Sequence, residues 1–313
     1  MQTPQTNLKS GIVDCRRHCR FRLANRLAGA LSKIPIRGTL RLGQLLSTLL
    51  LRSCKKPMAV TTCHGYDIVV RPEQDHGVDR TIYLTGTTER ATLAVMRKLL
   101  RSGDVCVDVG ANIGVMTLMA AQQVGPSGKV FAFEPCQLTA TRLLENIALN
   151  GFANVQVLVQ ALGASATNGV LCKPEMDSGM SYLSAGGVSS EDHETVMVDT
   201  LDNLIASGTV RVPIRLVKID VEGWEGEVVQ GARNLLRSSD KPGLIIEWCP
   251  GRKGTGLSCE QIWEVIVGVG GYRLYRANHG IYREGTLVEV KAPFELGSFN
   301  NLFALTGEQA ASI

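Results

Sequence analysis

The stretch Val105-Cys-Val-Asp-Val-Gly-Ala-Asn-Ile-Gly114 constrains this chain more than any other, because a buried-strand pattern runs straight into a glycine turn that opens a helix. That is the ligand cradle of a doubly wound α/β sheet. A dinucleotide fingerprint would read G-x-G-x-x-G, its glycines letting a pyrophosphate lie against the helix N-terminus. Here the spacing is Asp108-x-Gly110-x-x-x-Gly114, with a carboxylate where that fingerprint has its first glycine. A carboxylate repels a diphosphate and attracts a positively charged ligand. S-adenosylmethionine has that charge: it carries an ammonium, a sulfonium and no phosphate, and the first N–H groups of the helix can receive its carboxylate.

An adenosyl ligand also needs its ribose held at the end of the neighbouring strand. Lys129-Val-Phe-Ala-Phe-Glu134 is a second apolar strand, and its closing acid lies twenty-four residues after Gly110. That spacing suits a carboxylate that accepts bonds from vicinal ribose hydroxyls. The expected donor-binding residues are therefore Asp108, Gly110, Asn112, Gly114 and Glu134, with Ala161, directly after the third strand, beside the adenine. The usual acidic partner of the adenine amino group is replaced by Gln160 or by backbone.

Several motifs together resemble the FkbM-type S-adenosylmethionine-dependent methyltransferases. They are VDVGANIG at Val107 to Gly114, FEP at Phe133 to Pro135, Ala161-Leu-Gly163, Thr200-Leu-Asp-Asn-Leu204, Val217-Lys-Ile-Asp-Val-Glu-Gly223 and Ile245-Ile-Glu-Trp248. The segment Gly86-Thr-Thr-Glu89 looks like the family's short glycine and acid element. The likeness spans about residues 65 to 307, and the KIDVEG segment is its most specific part. It implies transfer of a methyl group, usually to a hydroxyl oxygen, on acceptors that vary across the family.

The remaining pattern alternates helix and strand as a doubly wound, mostly parallel seven-stranded sheet requires, a Rossmann-like class I methyltransferase fold. Helices are predicted over Thr88 to Arg101, Ile113 to Val124, the segment ending at Asn150-Gly151, a single one over 225 to 237, and Gln261 to Val269. Strands are predicted at Val155 to Val159, Ile214 to Asp220, Leu244 to Glu247, Tyr272 to Tyr275 and Leu302 to Leu305. Between Gly163 and Glu194 the alternation fails in a Gly- and Ser-rich stretch centred on Ser178-Gly-Met-Ser181, read as either an acceptor-binding lid or a solvent-facing hairpin.

Ligands of open α/β sheets sit beyond the carboxyl ends of the strands at the switch in strand order. That places the chemistry at Asp220, with Glu222 second and Glu247, at the end of strand five, third. An aliphatic hydroxyl is a weak nucleophile, and a carboxylate within hydrogen-bond reach can orient it and take its proton. The bland alternative is that Lys218 pairs with one of these acids and Glu222 merely begins a helix. Asp220 and Glu222 are also Mg²⁺ candidates, but two ligands are too few, so no metal is assigned. Among the histidines, His193 closes the irregular stretch while His64 and His76 precede the core, none with a partner visible in the sequence.

Residues 1–57 carry twelve Lys or Arg against Asp14 alone, a net charge of +11 in a chain of +4, which leaves −7 for the rest. Arg20, Arg22, Arg26 and Lys33 alternate with Leu23, Leu27, Leu31 and Ile34 as in a basic amphipathic helix before Pro35. This segment is read as a helical cap ahead of the methyltransferase domain at 58–313, with peripheral contact to an anionic membrane or a transit peptide as alternatives. No window holds eighteen uninterrupted apolar residues, which argues against a spanning helix. Nine scattered cysteines argue for a reducing, cytoplasmic setting, and Cys15 and Cys19 lack the second pair that a zinc site needs.

The expectation is therefore a methyltransferase that moves a methyl group from S-adenosylmethionine to the hydroxyl of a small molecule or glycan, such as a sugar or secondary metabolite, with no nucleic acid partner. Two rivals stand beside it. One is a nicotinamide-dependent oxidoreductase; the other is a catalytically silent binding module that uses its basic arm on membranes or nucleic acid.

Overall fold

The computed structural model describes residues 13–14, 56–75, 77–172, 182–184, 193–250, 257–278, 285–298 and 300–313. The basic helix expected before Pro35, His76 and the Ser178 to Ser181 segment lie outside these residues. The chain forms two compact units, residues 1–88 with 175–178, and residues 89–174 with 179–313.

In the first unit, β1 (Val13–Asp14), β2 (Met58–Thr61) and β3 (Asp67–Val70) make a three-stranded sheet followed by helix α1 (Val78–Thr85). Asp79, in the first turn of α1, accepts from the N–H of Arg71 at 2.7 Å and so ties the helix to the end of β3. His64 lies in this unit, stacked on Tyr66 and 3.3 Å from the Thr87 hydroxyl.

The second unit opens with α2 (Arg90–Leu99) and then alternates: β4 (Val105–Val109), α3 (Val115–Val124), β5 (Lys129–Phe133), α4 (Gln137–Asn150) and β6 (Val155–Leu158). A smaller sheet follows, made of β7 (Ala161–Leu162), β8 (Thr167–Cys172), β9 (Tyr182–Ser184) and β10 (His193–Asp199), and α5 (Leu201–Ala206) leads back to the main sheet. There the chain continues through β11 (Leu216–Ile219), α6 (Glu225–Gln230), α7 (Arg233–Arg237), β12 (Gly243–Trp248) and α8 (Cys259–Val269). It closes with β13 (Tyr272–Ala277), β14 (Leu287–Glu289), β15 (Asn300–Thr306) and α9 (Gly307–Ala311).

The main sheet runs β14-β13-β15-β12-β11-β4-β5-β6, parallel from β12 to β6 and antiparallel on the other side. The chain leaves β4 toward β6 and returns to β11 on the other side of β4, so the strand order reverses between β4 and β11. Ligands of such sheets bind at that crevice. β4 is buried at every position, and the helix after it buries Val115 through Ala121. That explains why both read as continuous apolar runs and not as alternating ones. Each of these fully buried large side chains contributes roughly 1.5–3 kcal/mol.

Two expectations are revised. The sheet has eight strands instead of seven; the addition, β14, is a three-residue strand at the edge, too short to leave a periodic trace. The helix predicted over 225–237 is two helices that part at Gly231 and Ala232, where the chain passes Gly163 so closely that a β-carbon on Gly231 would stand 1.9 Å from the Gly163 carbonyl oxygen. The Gly- and Ser-rich stretch is framed by antiparallel strands, β8 pairing with β10 from Cys172 and His193 to Thr167 and Val198. Among the described residues no helix is long and apolar enough to cross a membrane.

Candidate active site

The crevice between β4 and β11 begins with the glycine turn. Gly110 has φ 78° and Gly114 φ 102°, the left-handed region that glycine enters without penalty. The N–H groups of Gly110 and Ala111 both donate to the Phe133 carbonyl, at 3.0 and 2.9 Å, which fastens the turn to the end of β5. Asn112 also adopts a left-handed conformation, φ 49°; its side-chain oxygen accepts from the Ile113 N–H at 2.7 Å. Its own N–H donates to Glu134 at 2.9 Å. Glu134 thus joins the two strand ends, since its other oxygen accepts from the Cys136 N–H at 2.9 Å. Burial pushes its carboxyl up to about 7, although the two N–H groups pull the other way.

Asp108 lies beneath this turn and is wholly buried. The Thr117 hydroxyl donates to one oxygen at 2.6 Å, and the Lys218 ammonium stands 3.9 Å from the other. Burial raises its carboxyl above the usual range, opposed by Lys218 and Thr117. Its electrostatic reach into the crevice is therefore through the turn, from below.

Lys218 sits on β11 in register with Asp108 on β4, and its ammonium reaches Asp220 at 3.0 Å. Burial works against its charge, but the carboxylates of Asp220, Asp108 and Glu89 outweigh burial and hold the ammonium above its ordinary value. A group so protonated cannot serve as a base. Asp220, one residue past β11, keeps 23% of its side chain exposed. Glu222 follows with φ 56°, and Glu247 projects from β12, buried, in register with Asn301 of β15. The carboxylate oxygens of Asp220, Glu222 and Glu247 come within 4.8 Å of one another. The three acids expected from the sequence are thus brought together. Their spacing also suits a divalent cation, with Glu247 from β12 as a third oxygen donor beside Asp220 and Glu222.

One acid enters this cluster unforeseen. Glu89 precedes α2 with φ 36°, and one of its oxygens accepts from the Thr92 hydroxyl at 3.1 Å and the Asn301 amide at 3.3 Å. Asn301 also donates to Thr92 at 2.8 Å. Burial and then the like charge of Asp220 push the Glu89 carboxyl up. The sequence marks Glu89 only as part of a short motif; besides Thr92 in the following turn, the groups it meets, Lys218, Asp220 and Asn301, lie far along the chain, where no local spacing reveals them. Among the described residues, the non-glycine positions with positive φ are Glu89, Asn112 and Glu222. All three belong to this site, where such strain is characteristically retained.

Ala161 lies on β7, buried and in register with Val198 of β10. Next to it, the Gln160 side-chain nitrogen is buried without a hydrogen-bond partner, a donor left for a ligand. His193, at the start of β10, is exposed.

The donor set fits an adenosyl ligand better than a diphosphate. The lysine at the crevice is taken up by Asp108 and Asp220, and acids close both β4 and β5. The profile of the Methyltransferase FkbM domain matches residues 108–274, more than half of the chain. The chain belongs to the FkbM methyltransferase family. The methyl donor of this FkbM protein is S-adenosylmethionine, and the oxidoreductase reading is set aside. Hexuronic acid methyltransferase AglP of Haloferax volcanii is 36% identical over 150 residues, which cover 46% of this chain and 57% of that protein. The FkbM chain thus spans a little over half the length of that relative. Among solved structures, an rRNA methylase from Streptococcus thermophilus aligns with TM-score 0.38 and 12% identity over 69% of this chain and 93% of the other. Fibrillarin from Aeropyrum pernix, with natively bound S-adenosyl-L-methionine, aligns with TM-score 0.38 and 11% identity over 69% and 75%. At that distance these two add nothing to the assignment.

Proposed function

We propose that this FkbM protein methylates a hydroxyl oxygen of a sugar or glycan, with Asp220 as the base. The convergence of Asp220, Glu222 and Glu247 within 4.8 Å, at the strand-order switch beside the glycine turn, is the observation that supports this reading. The hexuronic acid methyltransferase relative supports a sugar as the acceptor class.

The turn at Gly110 to Gly114 and the carboxylate of Glu134 hold the donor, Glu134 accepting from its ribose hydroxyls. Asp108 adds negative potential from below. S-adenosylmethionine, when bound, supplies a methyl carbon activated by a sulfonium. The residues of the chain then have two tasks, to align the acceptor oxygen and to remove its proton. Asp220 does both, since its partly exposed carboxylate can accept the hydroxyl hydrogen bond and then the proton as the oxygen–methyl bond forms and the carbon–sulfur bond breaks. Glu222 and Glu247 have the geometry to hold neighbouring hydroxyls of a polyol.

The test is an assay of the full chain with S-adenosylmethionine and three acceptors, a hexuronic acid glycoside, a neutral hexoside and an amino sugar, with products fragmented by mass spectrometry. The reading expects the added methyl on oxygen, and formation that collapses in Asp220→Asn. A methyl found on nitrogen, or full turnover by Asp220→Asn, overturns it.

A further inference from the structure

The acceptor side of the crevice is rich in acids, and the ammonium of Lys218 is taken up by Asp220 and Asp108. A second cation stands farther along the same edge without an acid of its own. β13 pairs antiparallel with β15, and β15 with β12, so β13 runs in the direction of β12 and ends, at Ala277, on the edge of the sheet that carries Glu247. The Asn300 amide donates to the Ala277 carbonyl at 3.4 Å, and the next residue, Asn301, is in register with Glu247. Two inter-strand spacings, about 10 Å, therefore separate the end of β13 from Glu247. Arg276 and Asn278 flank Ala277 at that end.

Resting on the sugar-hydroxyl reading above, we propose that Arg276 sets acceptor specificity, its guanidinium taking the carboxylate of a sugar acid whose hydroxyls lie across the strand ends toward Asp220 and Glu247. Arg273, on the same strand, is engaged by Glu289 at 2.8 Å. Arg276 has no such partner among the described residues: its Nη1 donates to the Ala277 carbonyl at 3.4 Å, and its Nε is buried with no acceptor. That leaves the Nε and Nη2 edge, the fork that pairs with both oxygens of a carboxylate. Beside it the Asn278 amide nitrogen donates to the Thr286 hydroxyl at 3.1 Å, while its side-chain oxygen is buried with no donor. An unpaired donor and an unpaired acceptor two residues apart are costly in a protein interior, and one ligand that carries a carboxylate and a hydroxyl satisfies both. Charge favours the same arrangement. An anionic acceptor is repelled by Asp220, Glu222 and Glu247 unless its charge is held away from them, and the distance to β13 does that while leaving its hydroxyls near the acids.

The experiment reads binding and needs no turnover. The full chain, saturated with S-adenosylhomocysteine, is titrated by calorimetry with methyl glucuronoside and with its methyl ester, which has the same ring and hydroxyls but no charge. The wild type binds the acid about tenfold or more tighter than the ester, the worth of a hydrogen bond to a charged group. Arg276→Met abolishes that preference by weakening the acid and leaving the ester unchanged. Arg276→Lys, which keeps the charge without the fork and secures the test if Arg276→Met does not fold, retains part of it. Affinity for S-adenosylhomocysteine stays at the wild-type value in both. A wild type that binds the acid no tighter than the ester, an undiminished preference in either variant, or loss of S-adenosylhomocysteine binding in both overturns the proposal. The sugar-hydroxyl reading fails separately: if the acid binds through Arg276 but no methyl group reaches its oxygens, the carboxylate site stands and that reading does not.

Discussion

The backbone carbonyl oxygen of Asp220 lies 1.9 Å from the point where a β-carbon on Gly110 would stand. The donor turn and the acid-bearing loop are therefore in backbone contact, and the glycine is what lets them close. The same residue also needs φ 78°, which a side chain disfavours. The two halves of the site share one wall.

Gly110→Ala should accordingly separate them. The left-handed conformation costs about 1–2 kcal/mol and the clash with a backbone atom, which cannot swing aside, adds roughly 1–3 kcal/mol. Thermal unfolding should show the lost stability, and calorimetry should show S-adenosylhomocysteine affinity falling by more than tenfold. Wild-type affinity in a folded Gly110→Ala would show that the turn adapts and that the contact is incidental.

Glu134 should make both stability and donor binding depend on pH. Its folded carboxyl sits at about 7 against an ordinary 4.5, so the folded state holds its proton more tightly than the unfolded one. Stability from this group is full below about 4.5, declines as pH rises toward 7, and is constant above, a change on the order of 3 kcal/mol. Donor binding runs the other way, because ribose hydroxyls need the carboxylate to be ionised, so S-adenosylhomocysteine affinity should rise about tenfold from pH 6 to pH 8. Glu134→Gln should flatten both profiles. A pH-independent affinity in the wild type would remove Glu134 from the ribose contact.

Much of this site could be read before the structure. Continuous apolar runs into Gly110 and Glu134 identify buried parallel strands with acids at their ends, and the order of the motifs places Asp220 and Glu222 after one strand and Glu247 at the end of the next. What escaped depends on distance along the chain. Glu89 stands out only as part of a short motif, and its bond to Asn301 joins residues at opposite ends of the domain's sequence. The sequence marks Asp108 as a group facing the ligand, while the fold turns its carboxylate to Thr117 and Lys218. No periodicity encodes which way a strand-end side chain points once its neighbours close over it. The break at Gly231 has the same origin, since it answers to the Gly163 carbonyl, far away in sequence.

Asp108 and Asp220 share Lys218, yet they should separate on substitution. Asp220→Asn keeps shape and hydrogen-bonding capacity and should leave S-adenosylhomocysteine affinity nearly intact while lowering methyl transfer by about 10²- to 10⁴-fold, the usual contribution of a general base. Asp108→Ala removes the negative charge beneath the turn and leaves the Thr117 hydroxyl without its acceptor, so donor affinity should fall first. Calorimetry on both variants decides the matter. Equal loss of binding in the two would mean that Asp220 belongs to the donor site.

Glu89 offers the last discrimination, between an acid that tunes Asp220 and one that only braces α2. Glu89→Gln preserves the side-chain oxygen that accepts from Thr92 and Asn301, so the bracket around the start of α2 should survive and the melting temperature should stay close to the wild type. The charge, however, is gone. Methyl transfer should therefore drop about tenfold while the melting temperature stays in place. Asn301→Ala tests the converse, because it loosens the bracket and keeps the charge; it should lower the melting temperature and leave turnover close to the wild type. If Glu89→Gln loses stability but keeps wild-type turnover, Glu89 is a structural acid that braces the start of α2.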